Sequence, residues 1–334
     1  MIRFSLIICT YKRPQSLVAL LESVSSQSKY PDQILIIDGS PGDETMEILK
    51  DKAYPRTEYF KVDPIHRGLT KQRNYGLSKV LEQSEIVCFL DDDVILTSNY
   101  FENLINTYLN FPDAVGVGGY ILDDTFWRKI KNQGKSASSD YTIDGYIRPD
   151  STRFIFRKKM GLLEYDLPTF MPRGGHGRSV GFLPPSGKTY RVETFMGGVA
   201  SYRKDVFRKI KFSSFFEGYG LYEDTDFTLR LSKIGKLYLN TAAQLYHYHD
   251  EDGRPNQLKY GKMVVRNGYY VWRVKYPRPD FKSKVKWHLI TGFLILIRFS
   301  NIINTRKRKQ AFTESIGRIS GWVSLAFNNP RRKI

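Results

Sequence analysis

Three consecutive aspartates, Asp91, Asp92 and Asp93, follow directly after an apolar segment that is predicted to be a buried strand, Ile86–Leu90. In parallel α/β sheets ligands bind beyond the carboxyl ends of the strands, which is where these acids would lie. Neighbouring carboxylates repel one another unless a cation is present. Hard oxygen ligands suit Mg²⁺ or Mn²⁺, with a substrate diphosphate completing the coordination. The alternative is the acidic first turn of a helix, where negative charge is favourable.

Two further polar side chains are expected at the same edge of the sheet. Thr10 ends the first predicted strand and Asp38 ends the second, so both should converge with the aspartates on one crevice. A carboxylate such as Asp38 can accept a hydrogen bond from a base NH or from a ribose hydroxyl. Its alternative role is to cap the turn that follows, although Gly39 and Ser40 already favour that turn.

A basic segment, Gly68–Asn74, opens a predicted helix over Thr70–Leu81. Its side chains Lys71 and Arg73 could reach a diphosphate, because the N-terminus of a helix favours an anion. Solvated charge on the helix surface is the better interpretation for Lys71, whereas both roles stay open for Arg73.

A second acidic cluster, Glu223-Asp224-Thr225-Asp226, follows a glycine-containing turn and begins another predicted helix. Asp226 and Arg230 are four residues apart, which favours an ion pair along the helix. Glu223 or Asp224 would then face the crevice as a general base for an acceptor hydroxyl. The alternative is again an acidic first helical turn.

Alternating strands and helices must position these residues. The first 120 residues contain repeated strand–helix units with short connections, which predicts a parallel sheet covered by helices. Residues 123–193 interrupt the pattern with an irregular insert rich in glycine, proline, arginine and aromatic residues, typical of a functional or mobile segment. The last 80 residues are predicted to be helical, amphipathic and basic.

The net charge of +18 is concentrated at the C-terminal end of the chain. Residues 254–334 contain 19 basic and 2 acidic residues, whereas residues 1–253 have a net charge of only +1. This distribution suits a domain held at an anionic membrane surface. A nucleic-acid-binding protein that uses the basic tail is disfavoured, because the tail lacks a recognisable module and the acidic crevice would have no explanation.

Two apolar segments lie within the basic tail. Trp287–Ile297 is apolar for 11 residues and is flanked by basic side chains, which makes it too short to span a bilayer but suitable for the interface. The second, Ile319–Phe327, follows a run of four basic residues at 306–309. The alternative is a helix pair that covers a core and presents a solvated basic face. We expect peripheral association with the inner face of the cell membrane.

The two cysteines, Cys9 and Cys88, lie in apolar runs and are predicted to be buried free thiols. The sequence shows no disulfide framework, no Cys-x-x-Cys pattern and no signal-peptide pattern at its N-terminus. These observations predict a reducing compartment, the cytoplasm.

Five short segments occur in an order and spacing that resemble the family 2 glycosyltransferases with the GT-A fold: Ser5–Pro14, Ile37–Ser40, Arg73-Asn74, Asp91–Asp93 and Glu223–Asp226. The resemblance covers about residues 2–250. It implies an α/β, GT-A type nucleotide-binding sandwich with a mostly parallel central sheet. We divide the chain accordingly into a glycosyltransferase domain, residues 1–253, and a helical basic extension, residues 254–334. The domain would comprise a nucleotide-binding half, 1–120, and an acceptor half with the irregular insert, 121–253.

The resemblance also implies a reaction. It is the transfer of one sugar, with inversion, from a nucleotide-diphosphate sugar to a hydroxyl group. The favoured donor is a UDP-sugar, and the acceptor would be a glycan or a lipid-linked molecule. The reaction would belong to cell-surface polysaccharide assembly. Asp224, with Glu223 beside it, would act as the base, and Mn²⁺ or Mg²⁺ would neutralise the leaving diphosphate. The implied metal ligands are Asp93, Asp91 and a late histidine, His247 or His249. A core or solvent-facing histidine is the alternative for either.

The residues implied to bind the nucleotide sugar lie at strand ends or helix starts: Thr10, Tyr11, Arg13, Asp38, Arg73, Asp91, Asp92 and Gly198. Among them Thr10, Tyr11 and Asp38 would hold the nucleoside, and Asp91 would lie nearer the ribose. In similar proteins a small-residue segment like Gly197-Gly198 lies beside the donor sugar. The alternative for this segment is a tight bend without a ligand.

Two features that the sequence lacks restrict the class of enzyme. The Gln-x-x-Arg-Trp motif of processive family members is absent, which favours transfer of a single sugar. The alternative class of enzyme is a sugar-phosphate nucleotidyltransferase, which also combines a nucleotide-binding α/β fold with metal-binding acids. That class usually has a glycine-rich loop after its first strand, whereas Thr10–Pro14 contains no glycine.

Overall fold

A computed structural model of the chain describes residues 2–50, 52–122, 127–130, 137, 139–164, 167–216, 219–248 and 256–330. The strands in the described residues are β1 (Phe4–Thr10), β2 (Gln33–Asp38), β3 (Thr57–Lys61), β4 (Ile86–Asp91), β5 (Val94–Leu96), β6 (Ala114–Leu122), β7 (Arg128–Lys129), β8 (Asp140–Ile143), β9 (Tyr146–Pro149), β10 (Thr189–Val192), β11 (Val199–Arg203) and β12 (Lys236–His247). The α-helices are α1 (Pro14–Ser25), α2 (Glu44–Lys50), α3 (Leu69–Leu77), α4 (Tyr100–Asn110), α5 (Thr152–Lys159), α6 (Glu223–Leu231), α7 (Gln257–Lys275), α8 (Phe281–Asn304) and α9 (Arg308–Phe327).

The first of two compact units comprises residues 1–124 and 185–254. Its sheet has the strand order β10-β12-β6-β11-β4-β1-β2-β3, with β5 paired to β12. β1 pairs in parallel with β2 and with β4, and the register sets Thr10 opposite Asp38 and Cys9 opposite Asp91. The predicted convergence of these strand ends on one edge of the sheet is therefore present.

The sheet as a whole is mixed. Strands β1 to β4 pair with one another in parallel, as predicted, but β11 runs antiparallel between β4 and β6. β12 is parallel to β6 and antiparallel to β10 and β5. Each antiparallel pair of this sheet includes a strand that lies after residue 188, where the simple strand–helix alternation has ended.

Burial explains why the first strands are nearly continuous apolar runs. β2 is fully buried and β1 is buried except for Cys9, which is partly exposed, because helices cover the sheet. The helices α1 and α4 contribute buried faces that include Leu17, Leu21 and Leu104. Cys88 is buried as predicted, and both cysteines are free thiols.

The second unit comprises residues 125–184 and 255–334, so the insert clusters with the C-terminal helices. Its core contains Trp272 stacked on Trp287, with ring centroids 5.6 Å apart. The Trp272 indole N–H donates to the Arg173 carbonyl, and Gly175, at φ +71°, leaves the room that Trp287 occupies. These contacts tie the insert to the tail, whereas the sequence analysis assigned the insert to the first domain.

Helices α7 and α9 cross closely because glycines lie at their contact. A Cβ on Gly261 or on Gly317 would collide with the backbone of the other helix, at Glu314 and Leu258 respectively. One face of the tail therefore covers a core, as the alternative interpretation of the tail held. Within the described residues Phe281–Ile303 is the one segment long and apolar enough to cross a membrane, judged by length and composition, and 22% of its most apolar stretch is buried. The helix extends beyond the 11-residue apolar run on both sides.

Candidate active site

Strand pairing brings the end of β12 to the aspartates after β4. His247 lies opposite Val94 in the β5–β12 pair, and its Nε2 is 2.9 Å from Asp93 Oδ1. One ligand atom each from Asp91, Asp93 and His247 lies within 4.8 Å of the others. Burial lowers the pKa of His247, but the hydrogen bond and charge of Asp93 outweigh this effect and raise it overall.

This cluster fits a divalent cation by its donor set. Two carboxylates and an imidazole nitrogen suit Mn²⁺ and tolerate Mg²⁺, and the Asp91 side chain is 37% exposed. The three residues predicted as metal ligands are therefore together, although their role as ligands stays a prediction. His249, the other candidate, lies outside the described residues.

Asp92 points into the fold rather than into this cluster. It accepts a hydrogen bond of 2.7 Å from the Thr10 hydroxyl, and Arg13 lies 3.3 Å from Asp92 and 3.2 Å from Asp93. Burial raises the pKa of Asp92 to about 7, while the Thr10 hydroxyl and the Arg13 guanidinium work against that shift. Thr10 and Asp92 therefore join the ends of β1 and β4, and Arg13 balances the acidic run.

Asp38 has the contacts of a turn cap. Its Oδ1 accepts from the Ser40 backbone N–H at 2.7 Å, its Oδ2 accepts from the Tyr59 hydroxyl at 2.8 Å, and it is fully buried. These contacts favour the capping alternative over the predicted nucleoside contact. The predicted neighbour Tyr11, which directly follows β1, is 43% exposed and so remains accessible to a ligand.

Arg73 is buried between two carboxylates. It is 2% exposed, forms a close ion pair with Glu223, and lies 3.5 Å from Asp91. Its guanidinium also packs on the rings of Phe89 and Phe212. A diphosphate contact for Arg73, one of its two predicted roles, stays a prediction; the pairing with Glu223 could not be foreseen, because nothing in a single sequence links residues 150 positions apart.

The two adjacent acids at the start of α6 have different surroundings. Tyr222 and Gly220 both adopt left-handed backbone, with φ of 71° and 73°, and this turn directs Glu223 to Arg73. Asp224 accepts from neutral donors: the Gly197 N–H at 3.3 Å, and the Thr225 N–H at 2.6 Å and hydroxyl at 3.2 Å.

Burial raises the pKa of Asp224, and these backbone donors lower it in part. Glu223 is engaged by a cation and Asp224 by backbone donors, a difference that favours Asp224 as the base, and this role stays a prediction. Farther along α6, Arg230 pairs with the buried Asp226 at 2.6 Å, the contact expected from their spacing.

The Gly197-Gly198 turn touches both acidic groups. The Asp91 backbone N–H donates to the Gly198 carbonyl at 3.0 Å, and the Gly197 N–H reaches Asp224. A Cβ on Gly198 would overlap the Asp91 carboxylate, and a Cβ on Gly197 would crowd Glu223 and Arg73. Close approach of side chains therefore requires glycine at this turn, whether or not a ligand lies beside it.

The fold of the chain is similar to that in a crystal structure of GalNAc-T7 with UDP, GalNAc and Mn²⁺. The two chains superpose with a TM-score of 0.54 at 15% sequence identity, over 85% of this chain and 53% of the other. At this identity the likeness concerns the fold alone, which is of the predicted GT-A type.

The chain belongs to glycosyl transferase family 2, as predicted; the family model matches residues 5–210. The model of the N-terminal domain of galactosyltransferase also matches residues 178–248, which include Gly198, Asp224 and His247.

Curated relatives are distant and are matched over part of their length. The glucosyl-dolichyl phosphate glucuronosyltransferase of Haloferax volcanii is 29% identical over 38% of this chain and 41% of its own. The O-antigen chain rhamnosyltransferase RfbN of Salmonella typhimurium is 26% identical over 35% and 36%. The putative glycosyltransferase EpsH of Bacillus subtilis is 22% identical over 61% and 64%. The matches thus span less than two thirds of each relative.

Proposed function

We propose that the protein transfers one sugar from a nucleotide-diphosphate sugar to a hydroxyl group, with inversion at the anomeric carbon. One observation carries the proposal: a single glycine turn contacts Asp91 of the candidate metal cluster on one side and Asp224 on the other. The proposed base and the proposed cation site therefore both contact the same turn, Gly197-Gly198. This arrangement suits a direct displacement at a sugar held between them.

Each of these residues has a separate role in the proposed reaction. Asp224 accepts the proton of the acceptor hydroxyl as its oxygen bonds to the anomeric carbon, and the bond from that carbon to the diphosphate breaks in the same step. Asp91, Asp93 and His247 would hold Mn²⁺ or Mg²⁺, which would supply positive charge for the departing diphosphate. Arg73 keeps Glu223 from competing as a base and holds Asp91 in place.

The donor and the acceptor are proposed from the comparisons. A uridine nucleotide is favoured because the structural neighbour binds UDP and the family commonly uses it. A lipid-linked acceptor or a growing surface glycan is suggested by two relatives, which are named for a dolichyl phosphate sugar and for the O-antigen chain.

Nucleoside diphosphates should stabilise the protein only when the metal is present. UDP with Mn²⁺ is expected to raise the melting temperature by several degrees, since a ligand of the native state stabilises it by mass action. After chelation of the metal, UDP should change the melting temperature little. With Mn²⁺ present, dTDP, GDP and ADP should each give a smaller shift than UDP. Asp93→Asn should remove the metal-dependent part of the shift, whereas the same change at the exposed Asp205 should not. No shift with any nucleotide, or release of pyrophosphate rather than a nucleoside diphosphate during turnover, would contradict the proposal.

We also propose that the second unit docks on the inner face of the cell membrane, in the cytoplasm. The helices α8 and α9 each expose an apolar stripe at helical spacing: Leu289, Leu296, Phe299 and Ile303 on α8, and Phe312, Ile316, Ile319 and Val323 on α9. The tail that carries them has a net charge of +17, which is complementary to anionic lipid.

Vesicle binding tests the docking surface. Replacing Leu296 and Ile303 by Ser should weaken binding to vesicles rich in anionic lipid at least about tenfold, because each side chain contributes roughly 1.5–3 kcal/mol when fully buried. The matched control replaces Leu109 and Ile234, exposed apolar residues of the first unit, by Ser. Equal binding of both double variants, or equal binding to neutral and anionic vesicles, would overturn the proposal.

A further inference from the structure

Helix α5, which comes from the insert, exposes two large apolar side chains. Phe156 is 47% exposed, and Met160, directly after the last helical residue, is 55% exposed. The two residues are four positions apart, so they lie on the same side of the helix. The other side is buried through Phe154 and Arg157. One face of α5 therefore packs in the second unit, and an apolar face is left at the surface.

The exposed face of α5 adjoins the apolar stripe of α8. The centroid of the Phe156 ring lies 6.1 Å from that of Phe293. Phe293 follows Leu289 by four residues and precedes Leu296 by three, so it belongs to the same face of α8 as these exposed leucines. The apolar surface of α8 therefore continues onto α5.

The stripe of α8 also continues onto α9. Phe299 of α8 and Phe312 of α9 are both exposed, and their ring centroids are 6.3 Å apart. Exposed apolar side chains of three helices thus adjoin one another in pairs. A large exposed apolar surface of this kind is typical of an interaction site.

The charge beside this surface favours an anionic membrane as the partner. Helix α5 contains four basic residues and no acidic one, and Lys158 and Lys159 are exposed. Basic side chains next to apolar ones suit the boundary between lipid head groups and acyl chains. A second copy of this chain would bring the same positive charge to the surface, which disfavours a dimer there.

We infer that α5 is part of the membrane-docking surface, with Phe156 and Met160 among the acyl chains and Lys158 and Lys159 at the head groups of anionic lipids. The inference rests on the proposed docking of the second unit. It adds the insert to a surface that the docking proposal assigns to α8 and α9 alone, so that one bilayer engages the insert and the tail together.

Two matched triple variants test the inference by vesicle binding. The first changes the exposed residues at the end of α5: Lys158→Gln, Lys159→Gln and Met160→Ser. The control makes equivalent changes at exposed residues of the same insert, in and after β7: Arg128→Gln, Lys129→Gln and Ile130→Ser. Each variant loses two positive charges and one apolar side chain.

The α5 variant should bind vesicles rich in anionic lipid at least about tenfold more weakly than the wild type, because it loses both head-group and acyl-chain contacts. The control should stay within about twofold, since charges beyond a Debye length from the lipid are screened. The melting temperatures of both variants, read on the same samples, confirm that they are folded.

Quenching by lipid reports the contact directly. Met160→Trp and Ile130→Trp each add one indole to the chain. Vesicles with a quencher on their acyl chains should remove a much larger fraction of the added emission in Met160→Trp than in Ile130→Trp. Equal weakening of binding by the two triple variants, or equal quenching of the two added indoles, overturns the inference.

The double variant of α8, with Leu296 and Ile303 replaced by Ser, separates this inference from the docking proposal. If that variant loses vesicle binding and the α5 triple variant does not, the second unit docks without α5 and only the inference is wrong. If the wild type does not bind anionic vesicles, both the docking proposal and the inference are wrong. The UDP and Mn²⁺ shift is read on the same samples, so failure of the donor site is seen separately.

Discussion

Asp224→Asn should reduce the rate of sugar transfer by about 10²–10⁴-fold while donor affinity changes by no more than a few-fold. The amide keeps the shape of the side chain and can still interact with the turn, but it cannot take the proton of the acceptor hydroxyl. Turnover measured as nucleoside diphosphate release, together with donor affinity from calorimetry, separates the two effects. The pH profile adds a check, since burial raises the pKa of Asp224. As the pH is lowered, wild-type activity should be lost when Asp224 becomes protonated. This loss should occur at a higher pH than for an enzyme whose base is an exposed carboxyl group.

Asp205→Asn provides the control for this change. Asp205 is an exposed acid of the same unit, so the same chemical replacement should leave turnover unaltered. If Asp224→Asn instead loses donor binding and thermal stability along with turnover, Asp224 is a structural residue and the assignment of the base is wrong.

Gly198→Ala should lower activity by about 10²-fold or more and weaken metal-dependent donor binding, since a displacement of about 1 Å in such a site is enough for a loss of that size. The added methyl group would overlap the Asp91 carboxylate, which must then move away from Asp93 and His247. Donor affinity measured against Mn²⁺ concentration distinguishes a disturbed metal cluster from a simple loss of folded protein.

Gly268→Ala is the comparison for Gly198→Ala. Gly268 lies in α7, and a methyl group added there would meet no atom within 4 Å apart from those of its chain neighbours and of the adjoining backbone of its own helix. Alanine is favoured over glycine in a helix by about 1 kcal/mol. This variant should keep its activity and be slightly more stable. Full activity in Gly198→Ala would show that Asp91 tolerates displacement and does not take part in metal binding.

The parts of the fold that the sequence predicted are those fixed by local pattern. Apolar runs and turn residues located β1, β2 and β4, and with them the strand ends at Thr10, Asp38 and Asp91. Tertiary contacts decided the rest. The helix predicted to reach Leu81 ends at Leu77, because the buried Gln33 side chain bonds the backbone at Lys79 and Leu81. The direction of β11 likewise depends on strands distant in the chain.

The candidate site was likewise predictable only in part. The family resemblance grouped Asp91 and Asp93 with His247 or His249, and the first three lie together; the residue pattern indicated the acids at the start of α6. It did not foresee that Arg73 would pair with Glu223 or that Asp38 would be closed off by Tyr59, because both depend on side chains meeting across the fold. A single sequence carries no signal for such meetings.

The division into two units has a spectroscopic consequence. All four tryptophans, Trp127, Trp272, Trp287 and Trp322, belong to the second unit, and the first unit has none. Emission excited where only indole absorbs therefore follows the second unit alone. Its response to vesicles can be recorded without a tryptophan signal from the first unit, and comparison with circular dichroism during unfolding tells whether the two units unfold together or in turn.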